Sequence, residues 1–440
     1  MNSPRDAAMP GANWAWPDSL WVATATPELE TSALESDLTL DSVIVGAGFT
    51  GLRAALVLAE AGQRVAVLDA CAVGWGASGR NGGQVNPLPP LNGPDDIARM
   101  VGAERMPLLA KTILGSADET FEVIARYGID CQARQKGWLR TDHCDKAKRT
   151  SRAIAEAWNR HGAGIEFLDG DEVERATGTR AYRSATLMRS GGAVQPLSYA
   201  RGLARAAMAA GAEIYSQTPA LSLDRDGKRW EIRTPRGRVT ADRVLLCTNG
   251  YTDKLWPGLA QSVVPLVSVQ AATELLSGSD YDSILPNGRT MADTRRTIIY
   301  GRHEADGRIL FGGVGSVVGR DEAAFGALRK GVEALYPSLR GVRWQYRWGG
   351  RLAVTKDHLP HLHEPAPGLL AGLGYNGRGV ALSTVMGRIL AERVLGQSDA
   401  DCPFPTSPIK AYPLRQLYQI GTGMVVGVMR FQDEREARKG

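Results

Sequence analysis

From Asp41 the chain reads SVIVGAG, GLRAALVLAEAG and RVAVLDA in succession. This is a buried strand, an amphipathic helix and a second buried strand. Gly46, Gly48 and Gly51 are spaced as G-x-G-x-x-G at the first turn, and Asp69 closes the second strand. No other stretch restricts the fold as tightly. The first glycine permits a tight turn, the second lets the backbone approach a pyrophosphate, and the third lets the helix pack closely on the strand. Unpaired amides at the helix N-terminus then face the phosphate. Asp69 stands one βαβ turn away, where a carboxylate accepts hydrogen bonds from a ribose diol. Phe49, Thr50 and Ala70 complete the candidate contacts of this unit. The plain alternative is a packing turn, and the unit alone does not separate FAD from a nicotinamide cofactor.

The separation comes from GWGASGRNGGQ, residues 74–84. Gly76, Ala77 and Ser78 are small enough to line a pyrophosphate, Arg80 and Asn81 bring donors, and Gly82, Gly83 and Gln84 allow close backbone contact with a flat ring system. Here the sequence resembles the D-amino-acid oxidase superfamily, in particular its γ-glutamylputrescine oxidase-like branch. The resemblance runs from about Trp14 to the C-terminal helix, through QPLSYARGLARAA, ADRVLLCTNGY, RWGGRLAVTKDHLPHL and GLGYNGRGVALSTVMGRILAE. It implies an FAD enzyme in which Thr218, Pro219 and Ala220 pass the adenine, and Thr248, Asn249 and Gly250 lie beside the cofactor. It further implies that the turn Gly374, Tyr375, Asn376, Gly377, Gly379 and Val380 sets backbone amides against the pyrimidine edge of the flavin. For Asn249 and Asn376 the competing reading is turn bracing; for Gly377 and Gly379 it is positive backbone angles. Gly350 occupies the position where sarcosine oxidases carry a flavin-linked cysteine, so FAD is expected to be non-covalent.

The resemblance roofs the substrate site with an inserted sheet whose strands fall near 262–276 and 296–304. Glu274, Arg302, Arg351 and Tyr375 are the candidate substrate contacts, since an arginine fork suits a carboxylate. Structural ion pairs compete for both arginines, and a rim position competes for Glu274. Two carboxylate-binding positions of relatives are empty: Leu352 matches the arginine of glycine oxidases, and Ala381 matches the lysine of sarcosine oxidases. The implied reaction is oxidation of a carbon–nitrogen bond in a small amine or amino acid by hydride transfer to flavin N5. The imine then hydrolyses, and oxygen is the expected acceptor, with release of hydrogen peroxide. A flavin-dependent amine dehydrogenase, a nicotinamide dehydrogenase and a non-catalytic flavoprotein are the rivals. His358, His361 and His363 follow Asp357 closely, but Pro360 spoils metal-ligand spacing, so no metal is expected.

The fold class expected is α/β: a Rossmann-like FAD domain interleaved with an α+β substrate domain having a mixed or antiparallel sheet. The layout is an N-terminal arm at 1–38 pinned by Trp14, Trp16 and Trp21, and FAD-binding segments at 39–86, 191–255 and 341–398. Substrate segments follow at 87–190 and 256–340, with a docking segment at 399–440. With 43% hydrophobic residues in 440, the chain is long enough to bury large cores. Its 52 basic residues are scattered among 47 acidic ones, which argues against nucleic-acid binding. Five widely spaced cysteines, the lack of an apolar leader and the lack of a membrane-length apolar run lead to a cytoplasmic, membrane-free expectation. The amphipathic stretch 417–435 is expected to be a docking helix.

Overall fold

The computed structural model describes residues 14–315, 321–412, 427–429, 431–433, 435 and 436. β1 (Leu38–Val45), α1 (Phe49–Glu60) and β2 (Val65–Leu68) form the expected βαβ unit, with β1 and β2 parallel. All four residues of β2 are buried. Such uninterrupted aliphatic runs belong to parallel strands covered on both faces.

The inserted region supplies α2 (Met106–Arg126), β3 (Trp138–Asp142), β4 (Glu166–Asp169) and β5 (Ser184–Met188). The chain returns through α3 (Pro196–Ala209), β6 (Glu213–Tyr215), β7 (Ser222–Asp226), β8 (Arg229–Arg233) and β9 (Arg238–Leu246). It then builds β10 (Val264–Thr273), β11 (Thr290–Asp293), β12 (Ile299–His303), β13 (Ile309–Val314), α4 (Asp321–Leu335) and β14 (Trp344–Val354). β15 (His361–Ala366), β16 (Leu369–Leu373) and α5 (Gly379–Val394) follow.

Two large sheets result. The first has the order β15-β16-β9-β1-β2-β6, with the β7–β8 hairpin paired to β9. Its β16, β9, β1, β2 and β6 are mutually parallel. α1, α3 and α5 bury their apolar faces in one core with the strand residues Ile44, Val67 and Leu245. The second sheet has the order β14-β10-β13-β12-β11-β3-β5-β4 and is antiparallel except for the β11–β3 pair. α4 covers it through Phe325, Leu328 and Val332. β14 is hydrogen-bonded along β10 in this second sheet, although the sequence layout grouped it with the FAD-binding segments.

Within the described part of the expected arm, Trp21 is fully buried and its Nε1 donates to the Asn81 carbonyl at 2.7 Å, whereas Trp14 and Trp16 are half-buried. Of the docking segment, 427–429 and 431–433 are helical, and the rest of the expected helix falls largely outside the described residues. Buried Asp433 accepts hydrogen bonds from the Arg296 and Thr297 amides. Among the described residues no helix is long and apolar enough to cross a membrane.

Candidate active site

The C-terminal ends of β1, β2 and β9 open into a cavity of about 1330 Å³ that continues to the face of the second sheet. Small-ligand pockets run to about 300–1,000 Å³, so this one has room for a dinucleotide and a small substrate together. At its closed end the glycines are dictated by contact. A Cβ on Gly46, whose φ is +111°, would lie 2.8 Å from the Cys247 carbonyl oxygen at the end of β9. One on Gly51 would lie 2.0 Å from the Gly46 carbonyl oxygen. Any side chain there drives α1 off β1, so the loop can close only with glycine.

Asp69 lies beside this loop and holds it: one carboxylate oxygen accepts from the Ala47 amide at 2.7 Å and the other from the Cys71 amide at 2.8 Å. Burial pushes its pKa up, and the two amides oppose that shift. Ser78 accepts from the Phe49 amide at 3.0 Å, which draws the GASGRNGG segment against the N-terminus of α1. Arg80 lies over the Trp75 ring, its guanidinium carbon 4.3 Å from the ring centroid. These residues fit FAD. The glycine cradle, the helix N-terminus, the acid at the strand end and the cavity volume are all present, and they do not depend on one another.

Of the residues expected from sequence to touch the cofactor, Gly46, Gly48, Phe49, Thr50, Asp69, Ala70, Gly76, Ala77, Ser78, Arg80, Asn81, Gly82 and Gln84 line the cavity. So do Ala220, Thr248, Asn249, Gly350, Tyr375, Asn376, Gly377, Gly379 and Val380. Gly51, Gly83, Gly250 and Gly374 stand behind the wall. Asn249 and Asn376 also brace turns, as their alternative reading held: Asn249 accepts from the Gly374 amide at 2.9 Å, and Asn376 from the Thr355 amide at 2.9 Å. Both adopt positive φ, 42° and 52°, a region that asparagine tolerates better than most residues.

The substrate candidates divide. Arg351 lines the cavity beside Tyr251. Tyr375 also lines it, but its hydroxyl is hydrogen-bonded to Thr50 at 2.7 Å, which clamps the C-terminal turn to α1. Arg302 and Glu274 are corrections. Arg302 is 1% exposed, pairs with Glu304 at 2.7 Å and donates to the Gly83 and Val194 carbonyls, so it braces the Gly82–Gly83 hairpin from behind. Glu274 follows a register shift at the end of β10 and pairs with Arg343 on the surface. The histidines also part company: His361 bonds Asp357, His363 bonds the Ser407 carbonyl and His358 faces the cavity.

Sequence reasoning missed several lining residues on the second sheet: Trp138 and Arg140 on β3, Gln270 on β10 and Tyr300 on β12. Gln270 donates to the Tyr300 hydroxyl at 2.7 Å. It also missed Arg378, inside the very turn it singled out. The available signal was a charged residue within WLRTD, a strand otherwise buried.

Comparison with known proteins decides the family. A family model described as FAD dependent oxidoreductase matches residues 41–393. The chain belongs to the FAD-dependent oxidoreductase family. Within it, the chain is 33% identical to gamma-glutamylputrescine oxidoreductase of Escherichia coli, over 90% of this chain and 93% of that protein's length. It is 34% identical to the probable oxidoreductase OrdL of Rhizobium meliloti, over 87% of this chain and 89% of the relative. The fold is also that of glycine oxidase from Geobacillus kaustophilus, with a TM-score of 0.69 at 23% identity over 84% of this chain and 99% of that one. This FAD-dependent oxidoreductase therefore carries the mixed α/β fold and the cofactor that its sequence led one to expect.

Proposed function

We propose that this enzyme oxidises a carbon–nitrogen bond in a small amine or amino acid, with FAD held non-covalently and the reaction taking place in the cytoplasm. One observation carries the reading: the nucleotide cradle at Gly46–Asp69 and the polar face of the second sheet, Gln270 and Tyr300, share one continuous cavity. A relative is named for γ-glutamylputrescine and two structural neighbours for oxidation of glycine and of iminodiacetate, all small amines or amino acids. The five described cysteines are unpaired, in keeping with a reducing compartment.

FAD, when bound, supplies the acceptor for the hydride leaving the carbon next to nitrogen, with molecular oxygen taking the electrons on and hydrogen peroxide released. The chain's own part is to orient the amine, exclude water and keep proton-bearing groups quiet. The Tyr300 hydroxyl, buried and bonded to Gln270 and Ser268, is pushed up to about 12 and stays protonated. Burial lowers His358, which weakens it as a base. Neither group is poised to strip a proton from carbon. The apolar walls Trp138, Leu266 and Leu352 disfavour an ammonium and so favour the reactive free amine. The imine product leaves and hydrolyses to a carbonyl compound and an amine.

Anaerobic bleaching of the purified yellow protein tests this, using γ-glutamyl diamines, secondary amino acids and iminodicarboxylates. At least one class should bleach the flavin. Failure of every class, with the flavin still reducible by dithionite, overturns the proposal.

A further inference from the structure

We infer that Arg140 and Arg378 together hold a carboxylate of the substrate, so that the amine oxidised is one bearing an acidic group. The inference rests on the amine-oxidising reading above and narrows its substrate class. Arg140 stands on β3, and both arginines line the cavity. Among the described residues no carboxylate lies within 4 Å of either guanidinium. The acid that acts on Arg140, Asp142, has its carboxylate engaged by the Ser151 and Ser184 hydroxyls, the latter at 2.6 Å.

Arg378 is 8% exposed, and its Nε donates to the Leu88 carbonyl at 2.9 Å. Its two terminal nitrogens have no protein partner among the described residues, yet they are not among the buried polar atoms sealed from solvent, so they face the cavity. The guanidinium carbon sits 5.1 Å from the centroid of Trp138, which shares a strand face with Arg140 two residues on. Burial, and then the charge of Arg140, lowers Arg378 to about 9. Arg378 is also the N-cap residue of the 16-residue α5, whose amides add further positive potential.

Two like charges, Arg378 buried and Arg140 partly buried, with no carboxylate within ion-pair distance are costly unless a ligand supplies one. Other arginines on the cavity wall differ. Arg295 pairs with Asp293, and Arg296 with Asp433 and Glu436. Arg80 lies in the segment flanking the glycine cradle, on the nucleotide side. Arg140 comes instead from the second sheet, across from that cradle, where the substrate is expected. A carboxylate between two guanidinium forks matches planar group to planar group.

The test uses the FAD-loaded protein, R140Q, R378Q and R378K, titrated by calorimetry with benzoate and with benzamide, its uncharged isostere. Wild type should bind benzoate at least about tenfold more tightly than benzamide. R140Q and R378Q should each weaken benzoate roughly ten- to hundredfold and leave benzamide and the FAD-to-protein ratio unchanged. R378K should fall between them and wild type. A structural arginine lowers the melting temperature when removed; R140Q, which removes a partly buried charge with no ion pair within 4 Å, should hold or raise it in the absence of carboxylate. Equal benzoate affinity in wild type and variants, or loss of FAD in place of benzoate, overturns the inference. Bleaching by benzylamine as fast as by any amino acid overturns it too, while leaving amine oxidation standing. Arginine-dependent benzoate binding with no amine bleaching the flavin would instead sink the reaction and keep the anion site.

Discussion

Replacement of Asp69 separates the loop brace seen in the structure from the ribose contact expected of the same carboxylate. Its oxygens accept from Ala47 and Cys71 at 2.7 and 2.8 Å, so Asp69→Ala strands two amides on the cavity wall. Hydrogen bonds to a charged acceptor are worth about 1.5–3 kcal/mol each. Water entering the cavity restores part of that, and the cost of burying the carboxylate disappears. The apoprotein should therefore lose only about 1–3 kcal/mol, well short of the sum. FAD loses its ribose acceptor as well, which at about 1.5–3 kcal/mol weakens binding roughly ten- to 150-fold. Asp69→Asn keeps one acceptor oxygen but turns an NH2 toward the second amide, so it should fall between alanine and wild type. Reconstitution of apoprotein with FAD, followed by flavin fluorescence, gives the dissociation constants; thermal unfolding of the same apoproteins gives the loop's share. If the alanine variant is destabilised but its folded fraction binds FAD within threefold of wild type, Asp69 is a brace for the glycine loop and the ribose assignment is wrong.

Gly51→Ala should destabilise the protein by about 1–3 kcal/mol or more, read from chemical denaturation, because its methyl meets the Gly46 carbonyl oxygen at 2.0 Å. Arg302→Met should cost about 3–5 kcal/mol, since it leaves buried Glu304 with only the longer 3.9 Å contact to Arg134; a stable variant with only a raised KM would restore Arg302 to the substrate site. Acid precipitation should leave the yellow colour in the supernatant, because Gly350 has no nucleophile and burial pushes the Cys71 thiol up to about 12; flavin retained in the pellet contradicts this. Anaerobic flavin reduction should rise with pH toward the bound amine's pKa and slow with deuterium on the oxidised carbon. The free reference value is near 10.4, and desolvation lowers it. A rate flat from about pH 6 to 10 without an isotope effect refutes selection of the neutral amine.

The cradle was legible because its causes are local: a period switch from strand to helix, three glycines at a turn and an acid one strand later. The second sheet was legible as strands but not as a site. Arg302 and Tyr300 share a face of β12 by alternation, yet Tyr300 reaches the cavity while Arg302 is covered by Gly83 and Val194. Nothing in YGRHE distinguishes them, since the covering residues come from over 100 positions away. Glu274 was misplaced for a related reason: the register shift at Ala272/Thr273 turns it out to Arg343, and such irregularities depend on the partner strand. Arg378 was hidden by its glycine neighbours, which drew attention to the backbone of the turn and away from its side chain.

The tie between Thr50 and Tyr375 joins residues 325 apart in sequence. A ribosome adding about 5–20 residues per second needs roughly 15–65 s to travel that distance. Throughout that interval the emerging glycine loop lacks Tyr375, and for more than half of it Cys247 as well, and the apolar face of α1 waits for α5. Cofactor capture is thereby deferred until nearly the whole chain has been made. A chain truncated before α5 would be a fragment with half a nucleotide site and an uncovered helix, a substrate for chaperones and proteases, and FAD supply would govern the yield of the finished enzyme by mass action on its last folding step.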